Sequence, residues 1–315
     1  MKGIHYPQHG HPDEVLRLIE LPEPVAGPGQ LVVQVEASPV DPADLLAIRG
    51  LYALLPSLPT CPGMEGCGRV LASRHPTYRE GERVLLPMRS GAWCERVAVD
   101  GEACHPLPEG DAVQLCMLRI NPPTATLLLE GVEPGQWVVQ DPGSSSVGQL
   151  VVQEARRRGI RTLNVVRRPE RAERLAALGA DRVVEKLQRG LPKAVRALDG
   201  MGGVATERLA RCVQPGGEVI CYGAVSRQPA QLSAAQSIFR DIRLRGFWLY
   251  RWNGENPERA SELLTEHGRD LATGALQIEI ANTFALEDWR EALALAQSPE
   301  RCGKVVFCPG DDRTG

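Results

Sequence analysis

No two of the nine cysteines form a C-x-x-C pair, and their odd number argues against a disulfide framework. There is no block of Lys or Arg and no acidic tail, and the net charge is −3. Binding driven by phosphate neutralisation needs a concentrated basic surface, so nucleic acid is not an expected partner. No apolar run is long enough to span a bilayer, so no membrane is expected. Neither an apolar signal segment nor an Arg/Ser-rich transit peptide follows Met1. Several cysteines, such as Cys221 and Cys308, sit in apolar, strand-like runs and read as reduced, buried thiols. Reduced thiols without an address predict a cytoplasmic protein.

What is present is a globular composition, 43% apolar and 24% charged, with 32 Gly and 25 Pro in 315 residues. So many turn formers point to short strands rather than a helical bundle, and the length fits two domains. Residues 1–118 read as β-rich, with Leu31-Val-Val-Gln-Val-Glu36 alternating and Ala92–Val99 doing so more loosely. Residues 119–262 alternate strands with helices. Trp137–Gln140, Thr162–Val166, Arg182–Val184, Glu218–Tyr222 and Leu244–Leu249 read as strands, and Val147–Arg158 and Glu170–Leu178 as helices. Residues 263–315 return to mixed elements and end in the strand Lys304–Phe307. The expected class is α/β, with a doubly wound parallel sheet inserted into a β-rich domain built from both ends of the chain.

The central motif is Val138-Val-Gln-Asp-Pro-Gly143-Ser-Ser-Ser-Val-Gly148. It lies where a strand turns into a helix, so free N–H groups and the helix dipole point at whatever occupies the turn. Gly143 and Gly148 suit a pyrophosphate turn, although Ser145 stands at the middle glycine position of G-x-G-x-x-G, and a plain strand–turn–helix connection looks similar. A site for NAD places an acid about 20 positions further on. Here Arg167 and Arg168 hold that place, with no carboxylate before Glu170. Paired guanidiniums bind a 2′-phosphate that a carboxylate would repel, so NADPH is the expected cofactor.

The stretches Arg49-Gly-Leu-Tyr52, Asn121-Pro-Pro-Thr124-Ala, Leu163-Asn-Val-Val-Arg-Arg-Pro169, Tyr222-Gly-Ala-Val225 and Leu244-Arg-Gly-Phe247-Trp-Leu-Tyr-Arg-Trp252 carry a resemblance. The chain resembles the zinc-free medium-chain dehydrogenase/reductases, nearest the trans-2-enoyl-thioester (enoyl-CoA/ACP) reductases. The R-G-x-Y segment is shared with zinc-free quinone oxidoreductases. The resemblance implies a Rossmann domain inserted into a GroES-like catalytic domain, with Tyr52 as the catalytic hydroxyl. It implies a cofactor site of Asn121, Thr124, Ser144, Ser145, Ser146, Val147, Arg167, Arg168, Tyr222, Gly223, Ala224, Val225, Phe247, Trp248, Leu249 and Lys304. It also implies a homodimer paired through late strands of the sheet.

Zinc-dependent members of that class hold the metal with a Cys and a His. The corresponding regions here read Ser38-Pro-Val-Asp41-Pro-Ala-Asp44, without a Cys, and Pro62-Gly63-Met64-Glu65, with Met64 in the histidine's place. No metal is expected. The expected reaction is NADPH-dependent reduction of an activated C=C bond, with a 2-enoyl thioester on CoA or an acyl carrier protein as substrate. A quinone or enone reductase is the nearest alternative, and a non-catalytic NADPH-binding protein a more distant one.

Overall fold

The computed structural model describes residues 1–310 as two units, Met1–Ile120 with the tail from Ser261, and Asn121–Ala260. In chain order the strands of the first unit's N-terminal part are β1 (Lys2–His5), β2 (Arg17–Glu20), β3 (Gln30–Pro39), β4 (Cys67–Ser73), β5 (Arg83–Leu85), β6 (Arg96–Asp100) and β7 (His105–Pro106). The second unit holds β8 (Trp137–Asp141), β9 (Arg161–Val165), β10 (Arg182–Val184), β11 (Ala194–Asp199), β12 (Val213–Cys221) and β13 (Arg243–Gly246). The tail adds β14 (Ile280–Phe284) and β15 (Lys304–Phe307) to the first unit.

The long strand β3 organises the first unit. It pairs antiparallel with β4, β6 and β15, giving the sheet order β14-β15-β3-β4-β5-β7 with β6 also on β3. Its alternation sends Leu31, Val33 and Val35 inward to meet Val70, Val84, Leu86 and Val99. Glu36 faces the other way, where Arg83 grips it through Nε and Nη2 at 2.6 and 3.0 Å. A second core joins the N-terminus to the tail, with Trp93 edge-to-face on Phe307 at 5.1 Å beside Ile4, Tyr6 and Trp289.

In the second unit all five strand pairs are parallel, in the order β10-β9-β8-β11-β12-β13. The sheet is the doubly wound arrangement, with its topological switch point between β8 and β11. Helix Ser146–Arg157 buries Gly148, Val151, Val152 and Ala155, one face at helical spacing, and places Arg156 and Arg157 in its last turn. Helix Glu170–Leu178 stops where Gly179 takes a left-handed φ of 107°.

Two strand expectations change. The segment Leu244–Leu249 is not one strand: Phe247 N–H closes the ladder on Cys221 C=O, and Trp248 turns the chain into helix Leu249–Glu255. β11 went unread because Arg196 interrupts its apolar run. That guanidinium bonds Glu218 and the carbonyls of Leu128 and Glu130, so a charge sits comfortably in a central strand. Among the described residues no helix is long and apolar enough to cross a membrane.

Candidate cofactor and catalytic site

The carboxyl ends of β8 and β11 carry Asp141 and Asp199, and Arg167 and Tyr222 follow β9 and β12. After β8 the chain turns through Pro142 and Gly143, and Gly143 N–H bonds Val165 C=O at 2.8 Å. A Cβ on Gly143 would lie 2.9 Å from Asn164 Cβ, and one on Gly148 would lie 2.4 Å from the Gly143 carbonyl oxygen. These two glycines therefore let loop, strand and helix close on one another. Beneath the loop, Gln140 Nε2 donates to Gly148 C=O and to Asn164 Oδ1, and Asn164 Nδ2 donates to Thr162 Oγ1 and Arg182 C=O. This neutral network fixes the turn from below.

Ser145 differs from its expected part. Its Oγ accepts from Gly148 N–H at 3.0 Å and donates to Pro142 C=O at 3.0 Å, so its side chain caps the helix rather than facing a ligand. Ser146 and Val147 follow at the positive end of a 12-residue helix, and Ser144 contributes its carbonyl to Gln149 Nε2. Arg167 is exposed and Arg168 half-buried just beyond the end of β9, with no acid before Glu170. The arrangement offers a pyrophosphate a helix N-terminus and a 2′-phosphate an arginine pair.

Asp141 and Asp199 are register partners across the switch point. Asp199 accepts from the N–H groups of Met201 and Gly202 and from Thr206 Oγ1 at 2.6 Å. Asp141 has no such donors, and burial, followed by the Asp199 charge, pushes it up to about 6. Tyr222 follows β12, its hydroxyl buried, and burial drives its pKa far upward. Gly200 makes room for that ring: a Cβ there would lie 2.9 Å from both Tyr222 Oη and Pro142 Cδ. Asp199 and Gly200 were missed with β11 itself, although an Asp-Gly pair closing a strand was their sequence signal. Gly223 is half-buried, and Ala224 and Val225 are exposed beyond Tyr222. Phe247 is half-buried, and Trp248 is exposed and stacked on Tyr250 at 5.4 Å.

Four expected cofactor contacts sit in enclosed places. Leu249 is buried under its own helix, and Asn121 and Thr124 are buried in helix Asn121–Leu128. Lys304 lies in the first unit, where its buried ammonium is taken by Asp41. Glu65 accepts Ile120 N–H at 3.0 Å. Asp44 accepts the N–H groups of Asp41, Gly63 and Met64. Burial, then the Asp41 charge, pushes both Glu65 and Asp44 well above the usual carboxylate range. Zinc does not fit here. A thioether replaces the imidazole at the buried Met64, and Lys304 already supplies Asp41 with a cation.

Tyr52 stands in the irregular segment after helix Pro42–Ile48, half-exposed, and its hydroxyl has no hydrogen-bond partner among the described residues. Its apolar neighbours do not form a core: Leu51 is 64% and Leu55 43% exposed.

Two family profiles match the chain: "Alcohol dehydrogenase GroES-like domain" over residues 27–113 and "Zinc-binding dehydrogenase" over 146–266. The mitochondrial enoyl-[acyl-carrier-protein] reductase of Rattus norvegicus is 33% identical, covering 95% of this chain and 86% of the relative. Among solved structures, a Bacillus thuringiensis protein described as an NADPH:quinone reductase aligns with a TM-score of 0.87 at 27% identity, over 98% of both chains. Etr1p in complex with NADP and crotonyl-CoA aligns at 0.88 and 23% identity, over 98% of this chain and 99% of that one. The expected cytoplasmic location is overturned by the curated relatives, which are mitochondrial in rat, frog, human and Arabidopsis thaliana. Reduced thiols could not decide the matter, because they mark a reducing environment and not one compartment.

Proposed function

The chain belongs to the zinc-free, enoyl-reductase branch of the medium-chain dehydrogenase/reductases and is an NADPH-dependent oxidoreductase, and from this premise we propose that it reduces 2-enoyl thioesters. NADPH supplies the hydride, which goes to Cβ of a C=C bond conjugated to the thioester carbonyl. Negative charge then develops on the carbonyl oxygen. Tyr52 donates a hydrogen bond to that oxygen or the proton that completes Cα. What carries this reading is the free Tyr52 hydroxyl flanked by exposed Leu51 and Leu55. A reactive head with apolar surface beside it suits an acyl chain.

On the nucleotide side, the reading assigns the pyrophosphate to Ser144, Ser146 and Val147 and the 2′-phosphate to Arg167 and Arg168. Tyr222 to Val225, Phe247 and Trp248 serve the nicotinamide half, with Asn121, Thr124 and Leu249 buried in the same unit. The thioester carrier is CoA or an acyl carrier protein. The outer edge of β13 is unpaired and all four of its residues are exposed, so we assign it to a homodimer contact. Light scattering should give twice the chain mass, and a monomer at micromolar concentration would refute that part.

The second reading, reduction of quinones or enones, draws on the likeness to the described quinone reductase. One screen separates the two. NADPH oxidation should be fast with crotonyl-CoA or longer enoyl thioesters and slow with quinones. The reverse order would overturn the proposal.

A further inference from the structure

The cysteines, which nothing in the reductase reading uses, include one pair brought together by the fold. Along one edge of β1, Tyr6 pairs with Thr60 while Gly3 pairs with Cys94. The edge is thus shared: the chain leaves after Thr60, and Trp93–Glu95 take over through Ile4 N–H to Trp93 C=O and Glu95 N–H to Lys2 C=O. Pro62 C=O accepts from Trp93 N–H at 2.9 Å across the hand-over. Cys61 and Cys94 stand on its two sides, held by two glycines. A Cβ on Gly3 would lie 3.0 Å from Cys94 Cβ and 3.5 Å from Cys61 Sγ. A Cβ on Gly91 would lie 3.6 Å from Cys61 Cβ, while the Gly91 carbonyl oxygen is 3.3 Å from Cys94 Sγ. The two side chains share one small space that only glycines leave open.

We propose that Cys61 and Cys94 form a reversible dithiol/disulfide site, with Cys61 as the entry thiol for small-molecule disulfides such as oxidised glutathione. The two thiols differ in the way such a pair needs. Cys61 is partly exposed and lines a cleft with Tyr6, Thr60 and Arg89, and Arg89 has no carboxylate partner among the described residues to compete for an anionic tripeptide. Cys94 is buried. Hydrogen bonding from Cys94 lowers the Cys61 thiol, and the same interaction, with burial, raises Cys94. The Cys61 thiolate attacks one sulfur of oxidised glutathione and expels one glutathione thiolate. Cys94, losing its proton to solvent, then attacks Cys61 Sγ and expels the second. Two protein thiols are oxidised, one disulfide is reduced to two glutathiones, and the new bond ties residue 61 to residue 94 around β4 and β5.

The test uses the full chain carrying Cys302→Ser, which removes the one fully exposed thiol. After equilibration in glutathione redox buffers, thiol titration under denaturing conditions should show two thiols lost in a single two-electron transition. Peptide mapping should show a Cys61–Cys94 link, and thermal unfolding should rise by several degrees. With Cys94→Ser added, Cys61 should instead retain one glutathione. With Cys61→Ser added, neither product should form. A map that links other cysteines, or leaves Cys61 unmodified while other thiols react, overturns the proposal. The mapping needs no Cys61 or Cys94 variant and does not depend on enzymatic activity.

Discussion

The two units differ in where they leave charge without a partner. In the first, Asp41, Asp44, Glu65 and Lys304 are all buried, and every charge that survives has a partner inside the protein. In the second, the network under the loop is neutral and the buried Asp199 has its own donors, while Arg167 and the first turn of helix Ser146–Arg157 stay outside, Arg167 close enough to Asp141 to favour its charged form. A satisfied polar cluster is architecture. A helix N-terminus and an arginine without a hydrogen-bonding partner among the described residues, at the ends of parallel strands, suit an anionic ligand, which is what the proposed cofactor site requires.

Lys304→Met strikes the first arrangement hardest. It strands the Asp41 carboxylate in the interior, and urea denaturation should show a loss of about 3–5 kcal/mol, largely recovered in the Lys304→Met, Asp41→Asn double variant. An unchanged midpoint would mean the pair is solvated. Tyr52→Phe should lower kcat/KM for crotonyl-CoA roughly 10²–10⁴-fold, with NADPH affinity and the unfolding midpoint unmoved. The comparison is sharpened by Arg167→Ala with Arg168→Ala. NADPH affinity, followed by its fluorescence, should fall by about one to two orders of magnitude while NADH affinity changes little. Equal affinities for the two cofactors in the unaltered protein would remove the basis of the prediction.

The smallest effect concerns Asp141, a half-buried acid at the end of β8 with no hydrogen-bond donors of its own among the described residues. Its pKa is raised from 3.8 to about 6, so the folded state holds its proton more tightly than the unfolded chain does. Its penalty is absent below pH 4, grows as pH rises towards 6, and is complete above. Asp141→Asn should therefore raise the urea midpoint at pH 7.5 and leave it unchanged at pH 3.5. A gain equal at both would point to packing rather than charge.

Much of this was legible from the residues alone. The strand–turn–helix at 138–148, the helix Glu170–Leu178 and the final strand Lys304–Phe307 follow from apolar periodicity and turn residues, which local sequence carries. β11 was not legible, because Arg196 is neutralised by Glu218 and by carbonyls up to 68 positions away. The same holds for Lys304. Its partner Asp41 lies 263 positions earlier, and only the folded chain reveals that the ammonium is engaged. Ser145 could have been read as a cap, since a serine just ahead of an apolar helical face is the usual signal.

That distance of 263 residues also sets an order of events during synthesis. β3 cannot receive β15, nor Asp41 its ammonium, until residues 304–307 have been made. The nucleotide-binding unit is continuous and can fold while the ribosome is still working, as its strands pair largely with near neighbours. The first unit must wait, with one flank of its central strand open and an acid in its interior awaiting its counter-ion. Truncation of even the last ten described residues should thus leave the nucleotide-binding unit folded and the first unit unfinished.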